Sequence, residues 1–172
     1  MISLDIEPTN RCNAKCYFCP RDQTPDQGLL QPEVFEQALA RAIEFRPLAR
    51  RALGKEITIS LCGLGEPLLN KHTVSYVAAV VDAGFECAMA TNGALLSEDT
   101  AIRLLDAGLS SIQINVGEQD EQYEEIYKLP WERTFQNVVR FRELADGRCE
   151  PHIVLVDHRD EPAHTDRMQE FW

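Results

Sequence analysis

Cys12, Cys16 and Cys19 fall within eight residues, in the pattern C-x3-C-x2-C. Thiolates this close on one short loop can surround a single soft metal centre. Iron–sulfur clusters normally take four cysteines. Three local ones leave one iron without a local protein ligand, open to a chelating small molecule. Structural zinc prefers four protein ligands, commonly in two separated pairs. No second pair follows here, although Cys62 or a histidine could supply a fourth ligand. Three unconnected free thiols are the remaining alternative. Cys62, Cys87 and Cys149 read as small hydrophobes or incidental thiols.

Two further segments have the composition of ligand-facing turns. Gly63-Leu64-Gly65-Glu66-Pro67 follows an apolar stretch. Its glycines allow close backbone approach, its carbonyls can accept from an ammonium group, and Pro67 stiffens the exit. Thr91-Asn92-Gly93 contains the turn-forming Asn-Gly pair. Either segment could equally be an ordinary connection.

Alternating strands and helices must position these segments. Strand patterns cover residues 2–6, 57–61, 85–90, 111–116 and 153–156, and each is followed by a helical pattern. The first helix opens at Gln31-Pro32-Glu33, and Pro47 should end or kink it. Val74, Val77, Ala78 and Val81 form the face of the second, which Gly84 closes. Ser97 caps the third and Gly108 ends it. Helices over 123–127 and 131–144 follow, and a last one runs from about Pro162 to Trp172. This alternation implies an α/β fold with a parallel sheet and right-handed crossovers. In barrels of that type, chemistry gathers at the C-terminal strand ends. That rim would hold the cysteine loop, both turns and Asn115, with Gln113 on the same strand face.

The segment Glu7-Pro8-Thr9-Asn10-Arg11-Cys12-Asn13-Ala14-Lys15-Cys16-Tyr17-Phe18-Cys19-Pro20 resembles the signature of the radical S-adenosylmethionine superfamily. The signature wants an aromatic residue before the last cysteine, and Phe18 fills that place. The resemblance implies a [4Fe-4S] cluster at Cys12, Cys16 and Cys19, with S-adenosylmethionine as the second cofactor. It places Phe18 beside the adenine. It assigns the methionine amino group to a Gly-Gly-Glu-Pro-like turn, hence to Gly65 and Glu66 first and then Gly63 and Pro67. Leu64 departs from the commoner second glycine. Thr91 and Asn92 become candidates for the methionyl or ribose end, and Asn115 and Gln113 for the ribose or carboxylate. The family's reaction forms a 5′-deoxyadenosyl radical that abstracts hydrogen from substrate, fed by an electron donor such as flavodoxin or ferredoxin.

The same resemblance implies a partial (β/α)6 TIM-type barrel. Five strand–helix units are visible, so residues 1–172 are expected to be a core domain incomplete at its C-terminus. Residues 110–127 and 168–172 resemble members of the SPASM and twitch groups, which often modify peptides or proteins. A non-catalytic iron–sulfur or zinc-binding interaction module, or an inactive fragment of such an enzyme, is the competing reading.

Composition narrows the partners. The formal charge is 17 − 28 = −11, which disfavours nucleic acid and anionic lipid. No apolar run is long enough to span a membrane. Residues 1–5 do not begin a secretory signal, so a cytoplasmic setting and reduced thiols are expected. The acidic run Glu118, Asp120, Glu121, Glu124 and Glu125 reads as a solvated helical face. His72, His152, His158 and His164 have no metal-ligand spacing. Surface or structural roles are the default, with His158 nearest the expected rim.

Overall fold

The computed structural model describes residues 2–156 and 162–172. Among these are five strands and six α-helices: β1 (Ile2–Ile6), α1 (Pro32–Leu53), β2 (Ile57–Leu61), α2 (Thr73–Asp82), β3 (Glu86–Thr91), α3 (Glu98–Asp106), β4 (Ser111–Asn115), α4 (Asp120–Tyr127), α5 (Trp131–Ala145), β5 (Glu150–Val154) and α6 (Pro162–Phe171). The strands form one sheet in the order β1-β2-β3-β4-β5, every pair parallel. Sequential parallel strands with right-handed crossovers put the connecting helices on one face. The result is an α/β fold with the form of a partial (β/α) barrel.

Register sorts the side chains. Leu61 lies opposite Ile6 and Met89, and Met89 lies opposite Ile112. This row faces the helices, and Ile59, Leu61, Cys87, Met89, Ile112 and Ile114 are fully buried there. Alternate residues point to the other face. On that side Ser3, Asp5, Gln113 and His152 are exposed and Ser60 half-buried. Parallel sheets are normally covered on both faces. Here the inner face is polar and open.

The elements differ from expectation in instructive places. Pro47 neither ends nor stops α1, which continues to a cap at Gly54 with φ 61°. The missing N–H of Pro47 is outweighed because the buried stripe Phe35, Leu39 and Ala42 resumes at Ala49. Arg46 also pins this turn, donating to the carbonyls of Ala83 and Gly84 and lying 4.3 Å over the Phe85 ring. The buried face of α2 is Thr73, Tyr76, Val77 and Val80, rotated from the expected valine stripe because Tyr76 stacks on Phe35 at 4.0 Å. β3 is shifted one residue later than expected. β5 starts at Glu150, three residues before its apolar part, because ladder bonds with β4 recruit Glu150, Pro151 and His152 regardless of polarity. Pro151 fits an edge strand, where one side needs no donor. His158 lies outside the described residues. Among those described, no helix is long and apolar enough to cross a membrane.

Candidate functional site

The stem of the cysteine loop is clamped before the thiols are reached. Thr9 donates its hydroxyl to the Gly28 carbonyl at 2.6 Å, and Leu30 N–H donates to the Pro8 carbonyl at 2.8 Å. The Asn70 amide donates to Pro8 and Leu30 carbonyls at 2.8 and 3.0 Å. Within the loop, Cys19 N–H donates to the Cys16 carbonyl at 3.1 Å. The buried Arg21 guanidinium donates to the Ala14 carbonyl at 3.3 Å and pairs with Asp22 at 2.7 Å.

All three cysteines are free and half-buried. The Cys12 sulfur accepts from Ala14 N–H at 3.4 Å and from the Asn92 amide at 3.8 Å. Burial, then the neighbouring Cys12 and Cys19 sulfurs, push the Cys16 thiol up to about 11. Burial also raises Cys12. Among the described residues, no three ligating side chains converge in a metal-holding arrangement. The donor set nonetheless fits a sulfur-bound cluster. Three thiols share one loop, Cys16 feels both others, and the Cys12 sulfur already receives two N–H donors. Metal binding would offset the burial that favours the protonated thiols. Cys62 is no fourth member of this group: its neighbours are Ser60, Asp5 and Glu7 on the open sheet face.

The three expected loops do meet, and Glu66 joins two of them. Its side chain is 1% exposed. It accepts from the Thr91 hydroxyl at 2.8 Å, Asn92 N–H at 2.8 Å and Leu68 N–H at 3.1 Å. Burial raises the carboxyl above its ordinary value, and these donors oppose the rise. Asn92 then reaches the cysteine loop, donating to Asn13 Oδ1 at 2.8 Å. The Arg11 carbonyl accepts from Glu66 N–H at 2.8 Å. A Cβ on Gly65 would collide with the Thr9 and Arg11 carbonyls, and one on Gly63 with the Glu7 side chain. Glu7 Oε1 accepts from Leu64 N–H at 2.5 Å. Pro67 is buried, and its carbonyl accepts from the Thr73 hydroxyl at 2.6 Å.

Phe18 is half-buried, its ring edge-on to Tyr127 at 6.0 Å. Gln113 is exposed and Asn115 half-buried, on the open face and apart from the Glu66 network. Sequence reasoning missed Asn13, Glu7, Arg21 and Tyr127. Glu7 and Asn13, inside the quoted cysteine segment, and Arg21, just beyond it, offered a positional hint.

The acidic run requires a correction. Glu118 precedes α4 and is 1% exposed, with Oε2 lying 3.0 Å from Nε2 of the buried His164. The last turn of α6 also reaches this loop, where Trp172 Nε1 donates to the Val116 carbonyl at 3.3 Å. Asp120, Glu121, Glu124 and Glu125 are exposed as expected, and Glu124 also accepts from Trp131 N–H at 2.9 Å. A cavity of about 690 Å³, lined in part by Ile114, Phe135, Ile153 and Phe171, opens on the helix side. None of the cysteines lines it.

Comparisons with known proteins bear on the family and the fold. The family model described as Radical SAM superfamily matches residues 6–163. A probable GTP 3′,8-cyclase of Methanothermobacter marburgensis is 35% identical over 116 residues, covering 67% of this chain and 35% of that protein. The tungsten-containing aldehyde ferredoxin oxidoreductase cofactor-modifying protein of Pyrococcus furiosus is 28% identical over 160 residues, covering 92% and 39%. The chain thus spans less than half the length of these curated relatives. Among solved structures, Streptococcus suis SuiB bound to S-adenosylmethionine superposes with a TM-score of 0.78 at 18% identity, covering 99% of this chain and 37% of that one. The protein anSMEcpe with bound AdoMet gives 0.72 at 18% identity, covering 99% and 50%. At such identities the structural likeness speaks for the fold.

Proposed function

Since this chain belongs to the Radical SAM superfamily, with a core related in structure to SPASM/twitch-domain members, we propose that residues 1–172 form the core domain of a radical S-adenosylmethionine enzyme. Cys12, Cys16 and Cys19 hold its [4Fe-4S] cluster. The observation that carries this reading is the Glu66 network. It draws the 63–67 turn, the 91–93 turn and the cysteine loop into one rim, an arrangement that a simple metal module does not need.

When bound, the cluster supplies an electron, from a flavodoxin- or ferredoxin-type donor, for cleaving S-adenosylmethionine to methionine and a hydrogen-abstracting 5′-deoxyadenosyl radical. The chain's own residues do the positioning. Glu66 keeps its carboxylate inside the protein, so its contribution to the cofactor is through backbone, with Gly63 and Gly65 giving the ammonium group access to carbonyls. Pro67 and Thr91 stiffen that cradle. Asn92 donates to the Cys12 sulfur and lies at the methionyl or ribose end, with Asn115 and Gln113 at the ribose or carboxylate. Phe18 flanks the adenine.

The open sheet face is where a substrate would meet this rim. It carries Asp5 towards the rim, and Glu86 and Glu150 at the far strand ends, as exposed carboxylates. A peptide is the favoured substrate class, in line with the fold shared with SuiB and anSMEcpe, which have been solved with bound peptides.

Anaerobic reconstitution with iron and sulfide tests the assignment. Wild type and Cys62→Ala should bind about four irons per chain, as one cubane requires. Cys12→Ala, Cys16→Ala and Cys19→Ala should each lose most of that iron. Zinc retained at the triad, with no cluster formed, would instead support the metal-binding interaction module.

A further inference from the structure

Tyr127 occupies a place that neither the motif nor the rim turns explain. It is the last residue of α4 and is 2% exposed. Lys128 leaves the helix at φ 56°. Helix ends leave carbonyls without intrahelical partners, and here the Tyr127 carbonyl accepts from Lys15 N–H at 3.0 Å. Lys15 lies between Cys12 and Cys16. The ring packs edge-on against Phe18 at 6.0 Å and stacks on Tyr123 at 4.7 Å. The hydroxyl accepts from the buried Gly117 N–H at 3.1 Å. Gly117 fits because a Cβ there would stand 2.9 Å from that hydroxyl. One residue therefore touches the middle of the cysteine loop, the aromatic residue before Cys19, and the loop that follows β4. That last loop is fastened from behind by Glu118 with His164 and by Val116 with Trp172.

The geometry points to Tyr127 as a positioning residue that sets the cysteine loop against the end of β4. Its backbone holds the loop, and its ring and hydroxyl fix where that backbone stands. The inference rests on the cluster reading above for its functional consequence, but the clasp itself is a property of the metal-free chain. It assigns Tyr127 no contact with the reacting atoms.

Tyr127→Phe is the informative variant, because it keeps the ring and removes only the hydroxyl. A lost neutral hydrogen bond corresponds to about a five- to tenfold change in a local opening equilibrium. Amide exchange on the metal-free protein should therefore accelerate by about that factor at Gly117. It should also accelerate at Lys15, in a different segment. In reconstituted protein, the electron paramagnetic resonance signal of the reduced cluster should broaden, and its change on adding S-adenosylmethionine should weaken, with iron content unchanged. Gly117→Ala, which presses on the hydroxyl from the other side, should reproduce both effects. Faster exchange at Gly117 alone, with Lys15 and the cluster signal unmoved, would overturn the proposal by showing a merely local bond. Exchange coupling without any cluster in wild type would sustain the clasp and reject the cluster reading instead.

Discussion

A methyl group on Gly65 would strike the carbonyls of Thr9 and Arg11, so the absence of a side chain there lets the second strand's turn press against the cysteine loop. Gly65→Ala must move one backbone or the other. We expect it to destabilise by about 1–3 kcal/mol, the usual range for overpacking, and to lower the retained iron. Gly28→Ala is the matched control, because a Cβ there meets nothing within 4 Å. Thermal melts and iron content check both, and equal behaviour of the two variants would refute the contact. At this scale the sequence exposed the cysteines and the glycine turn, since their types and spacing carry the signal. It did not expose the inward carboxylate of Glu66. A Glu in a loop reads as solvated until three donors from other segments are known to face it. Tyr127 was invisible for the same reason, its partners being Lys15 and Gly117 across long sequence gaps.

Elements were legible wherever apolar residues recur at a fixed spacing or a capping residue marks a helix start. β2 and the capped start of α3 follow from apolar patterning and from Ser97, whose hydroxyl accepts from Thr100 N–H at 3.3 Å. Pro47 does not end α1 because a local rule yields when burial continues beyond it, and β5 begins before its apolar run because strand pairing acts on backbone rather than polarity. α3 and α5 are joined across their exposed sides by Arg140, which lies 2.7 Å from Glu98 and 3.0 Å from Glu143. Hydrogen bonding by Arg140, then its charge, lowers the Glu98 carboxyl below its ordinary value. A carboxyl lowered by folding adds stability above its unfolded pKa and loses it as pH falls through the folded one. A carboxyl-detected nuclear magnetic resonance titration should therefore place the Glu98 midpoint low, and Arg140→Gln should return it to the normal range. An unchanged midpoint in the variant would remove this bridge from the account.

Across the whole molecule, topology does what no single motif can. Among the described residues, five parallel strands in sequential order bring residues near positions 12, 66 and 92 to one rim, and put the helices on the opposite side of the sheet from the polar face. Strand–helix alternation made that convergence readable in advance. The buried pairing of Glu118 with His164 was not readable, because it depends on how α6 returns to the end of β4. In the function proposed above, this rim cleaves S-adenosylmethionine through a cluster held by Cys12, Cys16 and Cys19. The direct measurement is 5′-deoxyadenosine released by anaerobically reconstituted, dithionite-reduced protein, beside Cys16→Ala. Product is expected from wild type above the reagent background and none above it from the variant. Equal product from both, or none from a wild-type protein carrying its full complement of iron, would contradict it.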